Sequence, residues 1–140
     1  MEYIWSAPGH LPEAAKRIRT EVFVREQGFA EEFDDMDLCS YHVLLRQNEK
    51  DIGTARMFWE EDRQTIHIGR VALLKTVRGC GLGSKLLSAC EYKAKQLGAQ
   101  RVILGAQCRA MKFYGENGFQ AFGECFDDQG CPHQMMEKTI

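Results

Sequence analysis

The chain has no long apolar run. Stretches such as Val71-Ala72-Leu73-Leu74 and Val102-Ile103-Leu104 fall far short of the roughly 18 residues that a membrane-spanning helix needs. Met1-Glu2-Tyr3-Ile4-Trp5 lacks a basic segment followed by an apolar one, so no secretory signal is expected. An excess of one charge is lacking too. With 18 basic and 20 acidic side chains the formal charge is −2, which gives no global field to attract a nucleic-acid backbone or an anionic membrane. Neither partner is expected. No repeat, low-complexity run or Ser/Gly/Pro-rich linker interrupts the 140 residues, so residues 1–140 read as a single domain. The six cysteines, Cys39, Cys80, Cys90, Cys108, Cys125 and Cys131, include no CxxC pair. They read as reduced thiols of a cytoplasmic protein rather than a disulfide framework. A metal set of Cys125, Cys131 and His133, with or without Cys39 and His42, repeats no zinc spacing, and no metal is expected.

What is present is ordinary globular material, 44% hydrophobic and 27% charged, long enough to bury about two thirds of its extended surface in one core. Residues 2–6 read as a strand. Residues 12–27 carry Ala15, Ile18, Val22 and Phe23 at helical spacing. The acidic stretch 31–37 reads as a loop or a short, poorly regular helix. Strands are expected at 41–46, 52–60 and 65–74. A glycine cluster then leads into a helix over 84–97, whose apolar stripe is Leu82, Leu86, Leu87, Cys90, Ala94 and Leu97. Gly98 is placed to end it. A short strand at 101–104, a helix at 110–117 and strands at 119–126 and 134–138 about an Asp127-Asp128-Gln129-Gly130 turn complete the chain. The order β-α-β-β-β-α-β-α-β-β describes an α/β domain of the α+β kind. It has a central mixed, mostly antiparallel sheet flanked by helices, with hairpins on either side of one β-α-β crossover.

The glycine cluster is the segment that carries chemistry. Glycines let a backbone approach an anion closely, and the N–H groups at a helix start attract phosphate. Two familiar phosphate loops fail here. Ser84-Lys85-Leu86 does not supply the Gly-Lys-Ser/Thr ending of a Walker A loop. Ser84 stands where the dinucleotide fingerprint needs a third glycine, and Leu104-Gly105-Ala106 lacks the acidic residue expected further on. The pattern that fits is Arg-x-x-Gly-x-Gly at Arg78, Gly81 and Gly83. In this it resembles the acetyl-CoA pyrophosphate loop of the GNAT superfamily of N-acetyltransferases. Ile68-Gly69-Arg70-Val71-Ala72-Leu73 looks like that family's cofactor strand, and Phe113-Tyr114-Gly115-Glu116-Asn117-Gly118-Phe119 after Ala106-Gln107 looks like its FY…GF signature. Val22-Phe23-Val24-Arg25-Glu26-Gln27 and the terminal Phe126-Asp127-Asp128-Gln129-Gly130-Cys131-Pro132-His133 are similar to the YjcF/ElaA-like branch, although that branch usually has an aliphatic residue at the place of Cys131. The matches span residues 19–138.

The resemblance implies a GNAT-type fold, acetyl-CoA as cosubstrate, and these roles. Arg70, Val71 and Ala72 would line the pantetheine arm, with a Val71 or Ala72 N–H aimed at the thioester oxygen, where negative charge develops as the barrier is crossed. Arg78 with Gly79, Cys80, Gly81, Leu82, Gly83 and Ser84 would hold the pyrophosphate, and Gln107 would lie alongside. Tyr114 would be the general acid for the departing thiolate, since a phenol stays protonated at neutral pH. An aromatic packing against Phe113 and Phe119 is its structural alternative. Only about one primary amine in 2,500 is neutral at pH 7, so a base is needed: His133 first, then Glu124 and His67, directly or through water. Glu26, Asp34, Asp35 and Asp37 either draw in a cationic amine or form a solvated face. Cys80, beside phosphate-binding amides, is either redox-active or filler.

The function expected is therefore acetyl transfer to a small-molecule or peptide amine acceptor through a ternary complex. Aminoglycoside, polyamine, amino acid and protein amine all remain open as acceptors. A non-catalytic acyl-CoA-binding sensor of the same fold is the alternative. A homodimer is suggested by the resemblance alone.

Overall fold

The computed structural model describes residues 1–30 and 33–140. Glu31 and Glu32, part of the acidic stretch expected to be irregular, lie outside the described residues. The strands are β1 (Glu2–Ser6), β2 (Tyr41–Gln47), β3 (Lys50–Trp59), β4 (Thr65–Leu73), β5 (Arg101–Gln107), β6 (Gln120–Ala121), β7 (Phe126–Asp128) and β8 (Cys131–Thr139). The helices are α1 (Glu13–Arg19), α2 (Leu82–Gln96) and α3 (Met111–Glu116). The sheet runs β1-β2-β3-β4-β5-β8-β6, and β7 also pairs with β8. Every pairing is antiparallel except β4 with β5. That is the mixed, helix-flanked sheet expected from the element order.

Alternation along β2 assigns its side chains to two layers. Val43 and Leu45 face the layer that holds α2, while Leu44 faces the one that holds α1. On α2 the expected stripe is buried at Leu82, Leu86, Leu87, Cys90 and Ala94, and Leu97 packs at its margin. On the other face Ala15, Ile18 and Val22 close against Leu44 and Ala72. The helix expected over 12–27 forms, but only its first half is α-helical. From Thr20 to Glu26 it widens into π-type turns, and Gln27 N–H donates to the Val22 carbonyl at 3.1 Å.

Two charged groups lie inside this second layer. Arg19, 1% exposed, donates to both oxygens of Asp37 at 2.8 and 3.1 Å. Arg56 reaches the same carboxylate at 3.0 Å and also grips Asp34, which in turn accepts from Arg70 at 3.2 Å. Locally, Asp34 and Asp37 form a capping box around the short 3-10 turn Asp35–Leu38. Burial alone would push the Asp37 carboxyl up, but Arg19 and then Arg56 outweigh it and hold it at about 2.

The decisive feature is how little of β4 and β5 is paired. Only Thr65, Ile66 and His67 meet Arg101, Val102 and Ile103. Just past this point the β3–β4 register slips between Thr54 and Arg56, with Arg70 at φ 49°. A bulge of this kind bends a strand and increases its twist. Beyond His67 the two strands part, and a cleft opens between Ile68–Leu73 and Leu104–Gln107.

The C-terminal strands depart from expectation. A continuous strand over 119–126 does not form. Gln134 Nε2 donates to the carbonyls of Phe122 and Gly123 at 2.6 and 3.1 Å, so a side chain takes acceptors that a neighbouring strand would use, and the chain leaves the ladder between β6 and β7. The turn also tightens to Gln129-Gly130, both at positive φ, which suits a two-residue hairpin. Asp127 and Asp128 thereby join β7.

Candidate active site

The splay between β4 and β5 opens into a cleft of about 720 Å³, a size typical of small-molecule sites. One wall is β4 from Ile68 to Leu73, and another is β5 with Gln107 and the following turn. The glycine loop and the start of α2 close one end. The β7–β8 hairpin closes the other, and the segment with Val22, Phe23 and Phe29 runs between them, with Glu26 on Arg78 and Ala30 on Gln129.

Gly79 and Gly81 sit at φ 87° and 82°, and a Cβ on either would meet nothing within 4 Å. The left-handed backbone is what requires glycine there, and the space in front of it is open. Gly81 is the N-cap of α2, so the first-turn N–H groups, which have no intrahelical acceptor, are presented at the loop. Gly83 is glycine for another reason. A Cβ there would come within 3.1 Å of the Phe113 ring, so the residue lets α2 and α3 approach. The loop thus joins two kinds of glycine that look alike in sequence.

Arg78 lines the cleft, but its donors are committed within the protein. It forms a two-pronged ion pair with Glu26 and donates to the Leu73 carbonyl from Nε at 3.0 Å and Nη2 at 2.7 Å. The hydrogen bonds from Arg78 hold the Glu26 carboxyl below its usual range. Both Glu26 oxygens are thus taken up by the loop arginine. Asp37 is spent on Arg19 and Arg56, and Asp34 on Arg56 and Arg70. These three carboxylates are already paired, unlike either the amine-attracting or the solvated face considered from sequence.

Tyr114 projects from α3 into the cleft. Its ring meets Phe113 and Phe119 edge to face at 5.1 and 6.0 Å. Its hydroxyl makes no hydrogen bond among the described residues, and burial pushes the phenol up to about 12. Packing and an open hydroxyl thus coexist in one side chain. Gln107 donates to the Gln27 side chain at 2.8 Å and accepts from Arg109 at 2.7 Å, tying β5 to the widened turn of the first helix.

His133 stands opposite Gln107 in the β5–β8 register, lines the cleft and is 8% exposed. Its ring stacks on Phe126 at 5.5 Å. Nδ1 lies 2.8 Å from the Cys131 carbonyl, which can only accept, so Nδ1 carries the hydrogen. In the neutral ring Nε2 then keeps the lone pair.

Several expected site residues fall elsewhere. Glu124 is exposed in the segment that leaves the ladder and does not line the cleft. His67 lies in the paired part of β4, stacks on Phe58 at 4.7 Å and bonds to Glu60 at 2.9 Å. Burial lowers its pKa against the opposing pull of Glu60, and it too is outside the cleft. Leu82 points into the core, 5% exposed. The Cys80 thiol turns back to the Val77 carbonyl at 3.1 Å. Neither is among the lining residues. By contrast Arg70, Val71, Ala72, Arg78, Gly79, Gly81, Gly83, Ser84, Gln107, Tyr114 and His133 all line one cleft.

Sequence reading missed Phe29, Arg109 and Asp128 as lining residues. Asp128 had been assigned to a turn. It is the one carboxylate among the described residues lining the cleft, and no hydrogen bond or ion pair engages it there. Only the hairpin register could have exposed it: Asp128 and Phe126 share a face with Cys131 and His133.

A family model described as an acetyltransferase (GNAT) domain matches residues 8–140. The uncharacterized N-acetyltransferase YjcF of Bacillus subtilis (strain 168) is 36% identical over 124 residues, which cover 86% of this chain and 87% of YjcF. The crystal structure of Escherichia coli ElaA is 29% identical, covers 98% of both chains and has a TM-score of 0.84. An acyl-CoA N-acyltransferase from Pseudomonas aeruginosa reaches a TM-score of 0.86 at 27% identity, over 99% of both chains. The chain belongs to the GNAT acetyltransferase family. It is an acyl-CoA-dependent N-acetyltransferase of the YjcF/ElaA-like branch, which sets aside the non-catalytic sensor alternative.

Proposed function

We propose that residues 1–140 act as one acetyltransferase domain that moves an acetyl group directly from acetyl-CoA to an amine in a ternary complex. The parting of β4 and β5 carries this reading, because it opens unpaired β4 backbone, the glycine loop, Tyr114 and His133 onto one cleft. Structures of this fold bind acetyl-CoA or CoA. The residues fit that ligand: open space in front of Gly79 and Gly81 meets the first-turn donors of α2, and the β4 edge is free to pair with an extended arm.

The bound thioester supplies an already activated acetyl group, so no covalent enzyme intermediate is required. The N–H of Val71 or Ala72 stabilises charge building on the thioester oxygen. Nε2 of His133, left basic by the Nδ1–Cys131 bond, takes the proton from the amine, directly or through one water. Tyr114, protonated throughout the neutral range, returns a proton to the departing sulfur. The burial that raises the phenol also raises the basicity of a thiolate formed beside it, which keeps the transfer favourable. Arg78 holds pyrophosphate either in place of Glu26 or through the hydrogen that its present bonds leave free.

The test is calorimetric titration of the reduced protein with acetyl-CoA, with ATP and NAD as controls, followed by thiol release on adding amines. Acetyl-CoA is expected to bind and the controls are not. A folded protein that ignores acetyl-CoA would refute the reading.

A further inference from the structure

Charge in the cleft is distributed unevenly. Arg70 is engaged by Asp34 and Arg78 by Glu26. Arg109 turns its Nε to Gln107 and acts electrostatically on Glu26. Among the described residues that line the cleft the only carboxylate is Asp128, on the hairpin, and it has no partner among them. A carboxylate lining a ligand cleft without a cation beside it is a place where the ligand brings the cation.

Its position relative to His133 sets a length. Asp128 pairs with Cys131, and Phe126 with His133, across the β7–β8 hairpin. Asp128 and His133 are therefore diagonal neighbours on one face, about 7–8 Å apart with their Cβ atoms somewhat closer. His133 is buried and Asp128 exposed, so they mark the inner and outer ends of one track. The hairpin is fixed against the opposite wall by the Ala30 N–H donating to Gln129 at 3.0 Å. That wall is apolar, formed by Val22, Phe23 and Phe29.

We infer that the acceptor is a short linear diamine. One nitrogen reacts beside His133, the methylene chain lies against the apolar wall, and the second, permanently protonated nitrogen rests on Asp128. A chain of about four or five methylenes between the nitrogens spans roughly this distance. The reacting nitrogen gives its proton to His133 and takes the acetyl carbon from sulfur. The second nitrogen takes no part in bond making, and Asp128 acts by selecting and positioning.

The inference rests on the acetyl-transfer reading, and the experiment separates the two. Acetyl-CoA-dependent thiol release is measured with 1,5-diaminopentane, with 1-aminopentane (which lacks the second cation) and with 6-aminohexanoate (which replaces it by an anion). The diamine is expected to exceed 1-aminopentane in kcat/KM by about two- to fivefold, the scale of an exposed ion pair, and 6-aminohexanoate to be the poorest of the three. Asp128→Asn collapses the diamine-to-monoamine ratio toward one, and Asp128→Glu, which keeps the charge, restores part of it. Equal use of the two amines by the wild-type protein, or a ratio that survives Asp128→Asn, overturns the inference. Acetyl-CoA binding without transfer to any of the three also overturns it and leaves the cofactor reading standing. Absence of acetyl-CoA binding refutes the reading beneath it.

Discussion

The two ends of the cleft are built differently. At the loop end, Arg78 to Ser84 supply nearly everything from consecutive residues, with backbone N–H groups as the working parts. At the hairpin end, Phe29, Asp128 and His133 come from distant segments, and side chains are the working parts. A backbone site is written in local sequence because left-handed dihedrals demand glycine whatever the surroundings. A side-chain site exists only once the sheet has set register, and a one-residue slip on β7 would turn Asp128 away. The function proposed above gives the loop end the ligand shared across the family and the hairpin end the acceptor.

The comparison breaks most completely at Gly81. Gly81→Val forces a β-branched side chain into φ 82° and is expected to abolish measurable acetyl-CoA binding by calorimetry while the circular dichroism stays native. Gly83→Val should behave otherwise. Its Cβ meets Phe113 at 3.1 Å, so it is expected to lower stability by about 1–3 kcal/mol in urea titration, with the binding loss following from displaced helices. Equal behaviour of the two variants would refute the division between backbone-demanding and packing glycines.

Tyr114→Phe removes the one hydroxyl that opens from α3 onto the cleft. Turnover is expected to fall about 10²- to 10⁴-fold, with the acetyl-CoA Kd nearly unchanged. A large loss of binding with an intact fold would return Tyr114 to a packing role.

Asp37 supports the β4 wall of the cleft from behind, through Arg56, Asp34 and Arg70. Asp37→Asn leaves Arg19, 1% exposed, without its counter-charge, and should cost about 3–5 kcal/mol in urea unfolding. The native carboxyl lies at about 2, below its ordinary 3.8. Its stabilisation is therefore full above about pH 4 and is lost as pH falls toward 2. It is worth about 2 kcal/mol. A wild-type stability curve no steeper than that of Asp37→Asn across this window would contradict the assignment.

The smallest effect expected is at Glu26. If its carboxylate holds the place that pyrophosphate takes on Arg78, Glu26→Gln should tighten acetyl-CoA binding about two- to fivefold, the scale of a half-exposed ion pair. Weaker binding would instead make Glu26 a brace that prepares the loop.

Legibility in the sequence followed the same division. The α2 stripe was readable because five of its six positions bury together at helical spacing, and the strands of the first half because apolar residues alternate along them. The break after β6 was not readable, because it depends on the Gln134 side chain reaching the Phe122 and Gly123 carbonyls across a turn of the chain. Glu124 failed as a candidate base for that reason, and His67 because it lies just on the paired side of the β4–β5 parting. For Glu26, Asp34 and Asp37 the sequence allowed an amine-attracting mouth or a solvated face, and neither forms because Arg19, Arg56, Arg70 and Arg78 are brought to them.

By itself the sequence determined the element order as far as α3, the α2 face and the glycine loop, since each follows from dihedral preference or hydrophobic period within a few neighbouring residues. Only the tertiary structure decided where β4 leaves β5, which carboxylates are neutralised and which one stays unpaired at the cleft. Those outcomes depend on register and on charges far apart in the chain, and no local propensity encodes them.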